Sequence, residues 1–123
     1  MTRRVLIVDD EPDLREITRL ALERVAGWTV TVAASGPEAL ERAAADQPEA
    51  ILLDVMMPGM DGPETARHLA ADPLTADIPI LLLTAKALSS ELAALATAPV
   101  AGILRKPFDP MRLAIQIEEL LGW

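Results

Sequence analysis

The chain contains no cysteine and no tyrosine, and aromatic residues make up only 2% of its 123 residues. The absence of cysteine excludes disulfide bonds and thiol chemistry. Because aromatic side chains are scarce, the core has to be built from leucine, isoleucine, valine and alanine, which supply most of the 51% hydrophobic content. The single histidine, His68, has no second histidine or cysteine near it in the sequence, so we assign it no role.

No apolar stretch approaches the ~20 residues that a membrane-spanning helix requires. The chain starts with Met1-Thr2-Arg3-Arg4 and runs directly into the first predicted strand, which leaves no room for a signal peptide. Basic residues are also few, 11 against 19 acidic ones, and the resulting net charge of −8 repels nucleic-acid phosphates. We therefore expect a cytoplasmic protein without membrane contact and without direct nucleic-acid binding.

The length fits one domain, and no linker, internal repeat or low-complexity segment divides the chain, so we predict a single domain over residues 1–123. Continuous apolar runs, typical of strands buried on both faces, alternate with segments of helical periodicity. Such alternation indicates an α/β fold in which parallel strands are joined by helices that cover both faces of the sheet. The predicted strands span 4–8, 28–33, 50–54, 78–83 and 102–105, and the predicted helices span 12–27, 35–46, 61–71, 89–98 and 109–121.

Several helix boundaries follow from local chemistry. Pro12 suits the first turn of a helix, and Gly27 ends that helix. Ser35 and Glu38 have the spacing of a capping box, in which each side chain satisfies a backbone donor at the helix start. Strand 28–33 alternates polar and apolar residues, which is typical of the edge of a sheet. The residues predicted to face the core from the first, third and last helices are Leu14, Ile17, Ala21, Val25, Ala66, Leu69, Ala70, Leu113, Ile117, Leu120 and Leu121.

Polar residues stand at the ends of four apolar runs. Asp9 and Asp10 follow the first strand, and Asp54 ends the third. Thr84 and Lys106 stand at the ends of the next two. Parallel strands place these ends along one edge of the sheet, where ligands bind in open α/β folds. The pattern therefore predicts a functional site at that edge.

Each of these residues also has a simpler explanation. Asp54 could merely start a turn, because aspartate is a common turn former. Asp9 and Asp10 could favour the positive end of the following helix dipole. Lys106 could be a surface lysine before a turn. Their joint occurrence in this order favours a shared site.

The arrangement resembles the receiver (CheY-like) domain of two-component response regulators over essentially the whole chain. The matching motifs are Asp9-Asp10, the segment Leu53-Asp54-Val55-Met56-Met57-Pro58-Gly59-Met60-Asp61-Gly62, Thr84-Ala85 and Lys106-Pro107-Phe108. Receiver domains are themselves a standard example of the doubly wound order 2-1-3-4-5, so that order is what the resemblance implies. The expected fold is flavodoxin-like, a five-stranded parallel sheet with five helices.

The resemblance implies a divalent cation, Mg²⁺ or Mn²⁺, that relieves the repulsion between crowded carboxylates. Asp10 and Asp54 would coordinate it directly, Asp9 would act largely through water, and the Met56 backbone carbonyl would supply a further ligand. Magnesium suits such a site because it prefers oxygen ligands and keeps several waters.

By the same resemblance, Asp54 is the nucleophile that becomes an aspartyl phosphate. Lys106 and the Thr84 hydroxyl would hold the phosphoryl oxygens, because positioning and charge neutralisation carry most of phosphoryl transfer. The donor would be a phosphohistidine of a sensor histidine kinase or of a phosphotransfer protein. The chemistry is slow and self-catalysed, so the chain is not expected to be a conventional enzyme.

One position departs from the family pattern. Many receivers carry an aromatic residue three positions before the site lysine, and here that residue is Ile103. The face formed by helix 89–98, strand 102–105 and helix 109–121 is a candidate docking surface for an unknown output partner or for a phosphorylation-dependent dimer. A plain alanine-rich helix that leaves the protein monomeric is an equally open interpretation of 89–98.

Two other functions remain open. The chain could be a receiver-like binding module that works without phosphorylation, which the aliphatic Ile103 leaves possible. It could also be an aspartyl-phosphate hydrolase of the haloacid-dehalogenase type, although that family requires a second aspartate two residues after the nucleophile. Here that residue is Met56.

Overall fold

The computed structural model describes residues 2–85 and 97–123. Five parallel strands form one sheet in the order β2-β1-β3-β4-β5, which confirms the predicted doubly wound fold. The strands are β1 (Arg4–Val8), β2 (Thr29–Ala33), β3 (Ala50–Asp54), β4 (Ile80–Thr84) and β5 (Gly102–Arg105). The α-helices among the described residues are α1 (Pro12–Leu20), α2 (Gly36–Asp46), α3 (Gly62–Ala71) and α4 (Leu113–Leu121).

The sheet has a core on each face. Every residue of β3 and β4 is buried, as expected of central strands without polar alternation. Alternate residues of each strand point to opposite faces, so Leu53 packs in one core cluster and Leu52 in the other. β2 is only partly buried along most of its length, which confirms its place at an edge.

The first helix differs from the prediction in its inner face. Ile17 and Val25 are 46% and 44% exposed, whereas Thr18 and Leu22 are buried. The helix therefore turns the i, i+4 pair Thr18 and Leu22 toward the sheet, and the Thr18 hydroxyl donates to the Leu14 carbonyl at 2.8 Å. After α1 the chain continues as a π-helical segment, Ala21–Val25, which changes the helical register in a way that periodicity could not predict.

The last helix starts later than predicted. α4 begins at Leu113, because Asp109 caps a turn instead, its carboxylate accepting a hydrogen bond from the Met111 N–H at 2.9 Å. Leu120 was expected to face the core but is 41% exposed. On the third helix Ala70 was also expected to face the core but is exposed, whereas Thr65 is buried.

The capping box at the start of α2 is present with one change of partner. The Ser35 hydroxyl accepts from the Glu38 N–H at 3.3 Å, and the Glu38 carboxylate accepts from the Ala34 N–H at 3.1 Å. The predicted helix 89–98 lies almost entirely in 86–96, outside the described residues. Among the residues that follow, 97–99 form a turn and bends.

The five strands begin at one end of the sheet, which we call the amino edge. There the rings of Trp28 and Trp123 meet edge to face with centroids 5.7 Å apart. The Arg3 guanidinium lies 4.3 Å from the centroid of the Trp123 ring and bonds Glu49 at 3.2 Å. This cluster ties the end of α4 to the starts of β1 and β2.

None of the helices in 2–85 and 97–123 is both long and apolar enough to cross a bilayer.

Candidate functional site

Three carboxylates meet at the carboxyl edge of the sheet, where the strands end. Asp9 and Asp10 follow β1, and Asp54 is the last residue of the adjacent strand β3. Carboxylate oxygens of the three residues lie within 4.8 Å of one another. Asp9 and Asp54 are buried, at 1% and 4% exposure, so their charges are only weakly screened by water.

Lys106 supplies a cation to this cluster. Its Nζ lies 2.9 Å from Asp54 Oδ1 and 3.7 Å from Asp9 Oδ2. The backbone N–H of Lys106 donates to the Thr84 carbonyl at 2.7 Å, which continues the pairing of β4 with β5 by one residue. The sheet itself therefore holds the lysine backbone in place, and the side chain reaches across β4 to Asp54.

The electrostatic environment of Asp54 is unfavourable for a negative charge. Burial is the largest influence, and it raises the pKa of Asp54 above its ordinary value of 3.8. The hydrogen bond and the charge of Lys106 lower that pKa, whereas the charges of Asp9 and Asp10 raise it. Without another cation, the site thus holds more negative charge than one lysine neutralises.

Asp9 is fixed on several sides. Its N–H donates to the Ala33 carbonyl at 3.1 Å, and its Oδ1 accepts from the Glu11 N–H at 3.0 Å. Its carbonyl accepts from Nη1 of Arg15 at 2.7 Å. Asp9 therefore has little freedom to turn away from Asp54.

Asp10 differs, because its Oδ1 is buried and accepts no hydrogen bond within the part of the chain that the structure describes. A buried carboxylate oxygen without a donor costs free energy, unless a cation or an ordered water satisfies it. Asp10 belongs to the three-carboxylate cluster, and a hard divalent cation prefers such ligands. The residues present therefore fit a magnesium ion.

The loop after β3 is held close to Asp54. The Gly62 N–H donates to the Val55 carbonyl at 2.9 Å. A Cβ added to Gly62 would lie 2.5 Å from the Asp54 carbonyl oxygen and 2.8 Å from Val55 Cα. Only glycine allows this approach, so the start of α3 is held against the backbone of Asp54.

Of the other predicted site residues, Thr84 ends β4 and is buried at 1% exposure. Its strand pairs with β3 so that Asp54 lies opposite Leu83, one residue before the threonine. Met56 lies two residues beyond Asp54 in the loop, and it is 66% exposed. The metal contact of its carbonyl stays a prediction.

Sequence reasoning missed two residues that contact the site, Arg15 and Gly62. A glycine that follows a helix-capping aspartate could have been noted as a point of close backbone approach. The positive charge of an arginine in the first turn of a helix is repelled by the positive end of the helix dipole. Such an arginine therefore indicates another contact that offsets this unfavourable interaction. Which partner it contacts could not be deduced, because that depends on the orientation of α1 over the loop.

An apolar cavity of about 380 Å³ opens beside the carboxylates, between α1 and the residues after β5. Its lining residues are Asp9, Leu14, Ile17, Thr18, Ala85, Lys106, Pro107 and Phe108. The exposed Ile17, which was expected in the core, lines this cavity. The cavity therefore joins the charged site to an apolar part of the surface.

Comparison with known proteins gives consistent results along the chain. The family model of the response regulator receiver domain matches residues 5–118. Response regulator MprA of Mycobacterium ulcerans is 43% identical over 121 residues, which are 98% of this chain and 51% of that protein. The chain thus spans about half the length of the curated relatives it matches.

Solved structures are similar over the same extent. Chemotaxis protein CheY4 of Vibrio cholerae has a TM-score of 0.88 at 31% identity, covering 98% of this chain and 99% of that one. The receiver domain of sensor histidine kinase PA1611 of Pseudomonas aeruginosa has a TM-score of 0.88 at 28% identity, with 100% of both chains covered. That structure carries a magnesium ion coordinated in its active site cleft.

Proposed function

Because the chain belongs to the family of response regulator receiver domains, we propose that it acts through phosphorylation of Asp54. Receiver domains are the phosphoacceptors of two-component signalling. The observation that carries the assignment is the 2.9 Å contact between Lys106 Nζ and a buried Asp54 carboxylate with two further carboxylates around it. In our proposal residues 1–123 form one such domain.

The metal would be Mg²⁺, or Mn²⁺ in its place, held by Asp10 and Asp54 directly, by Asp9 through water and by the Met56 carbonyl. Support comes from the buried oxygen of Asp10 and from the magnesium ion in the similar PA1611 receiver domain. When bound, the ion neutralises charge on the phosphoryl oxygens and on the carboxylates.

In the transfer step, an Asp54 carboxylate oxygen attacks the phosphorus of a phosphohistidine. The new O–P bond forms as the N–P bond to the imidazole breaks, and the imidazole nitrogen leaves with the electron pair of that bond. The Lys106 ammonium would move from the Asp54 carboxylate to a phosphoryl oxygen and stabilise its charge. The Thr84 hydroxyl would donate to another phosphoryl oxygen.

The donor would be a sensor histidine kinase or a phosphotransfer protein. The apolar cavity next to Lys106 supports this, because a protein donor has to seat an apolar surface while its histidine reaches Asp54. Ile17 at 46% exposure and the partly buried Phe108 are the side chains available for that contact.

Phosphorylation would change the affinity for an output partner. The candidate surface is the face formed by 89–98, β5 and α4, of which the structure describes the last two elements. Between those two elements a cavity of about 670 Å³ is lined by Ile103, Arg105, Gln116 and Leu120, among others. Since the relatives are about twice as long as this chain, the activity of a whole regulator is itself part of the proposal.

One observation favours a second candidate, a binding module that does not need phosphorylation. Ile103 stands in the middle of β5, where many receivers have an aromatic residue, and it is partly buried against the core. An aliphatic side chain cannot swing between two ring orientations. The phosphorylation experiment below separates the two candidates.

The test is incubation with acetyl phosphate and Mg²⁺, followed by intact mass measurement. We expect one added phosphoryl group, which disappears in Asp54→Asn and after chelation of the metal. The matched control is Asp61→Asn, since Asp61 lies in the same loop and its helix cap survives in asparagine. Labelling of Asp54→Asn at the wild-type level, or no labelling of the wild type, would refute the proposal, and the second result would favour the binding module.

A further inference from the structure

Arg15 makes an unusual contact for a residue in the first turn of a helix. Its N–H donates to the Glu11 carbonyl at 3.0 Å, as helical geometry requires, while its side chain folds back toward the loop before the helix. There Nη1 donates to the Asp9 carbonyl at 2.7 Å. The next arginine along the same helix, Arg19, instead pairs with Glu16 of α1 and with Glu23 of the π-helical segment that continues it.

The contact lies at the junction between two carboxylates of the site. The Asp9 carbonyl belongs to the peptide group that links Asp9 to Asp10, so Arg15 holds this peptide from one side. The Asp9 N–H and carboxylate are held by Ala33 and Glu11. For Asp10, the structure shows a buried Oδ1 with no hydrogen-bond donor in 2–85 or 97–123. Arg15 therefore holds the peptide group from which the Asp10 residue extends.

An arginine at this position has a cost, because its charge opposes the positive end of the helix dipole. A charge-assisted hydrogen bond to a carbonyl is short and directional, and it offsets this cost. Ion pairing does not account for the contact, because the acceptor is a backbone oxygen and not a carboxylate.

We infer that Arg15 is a positioning residue for the divalent cation: it fixes the Asp9–Asp10 peptide so that Asp10 Oδ1 faces the other carboxylates. This inference rests on the proposed function, because it concerns the same metal. Removing a group that hydrogen-bonds to a metal-ligating residue and orients it commonly weakens metal binding by about 10- to 100-fold.

A positioning role and a purely electrostatic role of Arg15 predict opposite changes in cation affinity when the arginine is removed. If Arg15 acted only through its positive charge, its removal would strengthen the binding of a cation to the three carboxylates. If it positions Asp10, its removal weakens that binding, because the free oxygen is no longer held toward the metal.

The experiment titrates Mg²⁺ into metal-free protein at constant ionic strength and follows backbone amide resonances. We expect Arg15→Met to raise the Mg²⁺ dissociation constant about 10-fold or more, and Arg15→Lys to lie between it and the wild type. Arg19→Met is the matched control, one helical turn away, and should change the constant less than about 2-fold. Before metal is added, the amide resonances of Asp10 and Glu11 should shift in Arg15→Met and not in Arg19→Met.

The outcomes separate this inference from the function on which it rests. A wild-type protein that binds no Mg²⁺ would refute the proposed function itself. If the wild type binds and Arg15→Met binds equally or more tightly, the positioning role is wrong while the function stands. A lower melting temperature of Arg15→Met with an unchanged dissociation constant would assign Arg15 to stability alone and also overturn the inference.

Discussion

The amino and carboxyl edges of the sheet differ in how their charged side chains are paired. At the amino edge, the Arg4 guanidinium donates to the carbonyls of Asp46 and Gln47 at 2.8 and 2.9 Å, at the negative end of α2. Arg3 is paired with Glu49. At the carboxyl edge, three carboxylates lie together and, among the described residues, one lysine contacts them. Each edge also holds a buried carboxylate oxygen without a hydrogen-bond donor in the described residues, Oδ2 of Asp46 and Oδ1 of Asp10. We therefore expect the amino edge to add stability to the fold, and the crowded carboxylates of the carboxyl edge to reduce it.

The largest expected effect comes from removing the cation at each edge. Lys106→Met should slow phosphorylation by acetyl phosphate on the order of 100-fold, because the loss of one group that stabilises developing charge has about this cost. Arg4→Met should leave the rate unchanged and lower the free energy of unfolding instead. The rates come from the growth of the phosphorylated mass, and the stabilities come from urea titration. Equal rates in the two variants would contradict the division between the edges.

Glycine substitutions compare crowding at one edge with backbone conformation at the other. Gly62→Ala should lower the free energy of unfolding by about 2 kcal/mol, because the new Cβ would lie 2.5 Å from the Asp54 carbonyl oxygen. Gly122→Ala should cost about 1 kcal/mol, since Gly122 has a φ of +71° but open space around it. Urea unfolding followed by circular dichroism measures both. A Gly62→Ala variant as stable as wild type would mean that the loop can move to accommodate the new Cβ without a cost in stability.

Neutralising one carboxylate at each edge should change the free energy of unfolding in opposite directions. In the presence of a chelator, Asp10→Asn should raise the free energy of unfolding by about 1 kcal/mol, because it relieves repulsion among the three carboxylates. Glu49→Gln should lower it by about 0.5 kcal/mol, since it removes a partly exposed ion pair with Arg3. Thermal melting in a chelator shows whether each variant is more or less stable than the wild type. Loss of stability in Asp10→Asn would mean that the site is not strained by charge.

The smallest effect concerns pH. Because the folded-state pKa of Asp54 is raised, the folded protein binds more protons than the unfolded chain at pH values above 3.8 and below the raised pKa. Metal-free protein should therefore lose stability as the pH rises through that window, and regain it on acidification. Asp54→Asn should lack this component. The measurement is the stability difference between the two proteins against pH in a chelator, and a difference independent of pH would contradict the expectation.

The sequence predicted the strands best. β1, β3 and β5 appear with the predicted bounds, because continuous apolar runs that end in polar residues leave little choice of register. Helix faces were less well predicted. In α1 the residue Ile17 was predicted to face the core but is exposed, and its neighbour Thr18 is buried instead, since the orientation of a helix depends on what it packs against.

The cluster of Asp9, Asp10, Asp54 and Lys106 could be predicted because parallel strands bring their ends together whatever the details of packing. The contact of Arg15 with the Asp9 carbonyl could not, because it requires the side chain to reach back over a loop whose path is unknown from sequence. The metal and phosphoryl roles of these residues remain predictions.

The pairing of Trp28 with Trp123 has a practical consequence for spectroscopy. These two residues are the only tryptophans in the chain, and it has no tyrosine, so intrinsic fluorescence arises almost entirely from the amino edge. Emission should change strongly when the chain unfolds or when the end of α4 detaches. It should respond little to ion binding or acylphosphate formation at the opposite end of the strands. Optical assays of that chemistry therefore need a reporter introduced near the β3–α3 loop.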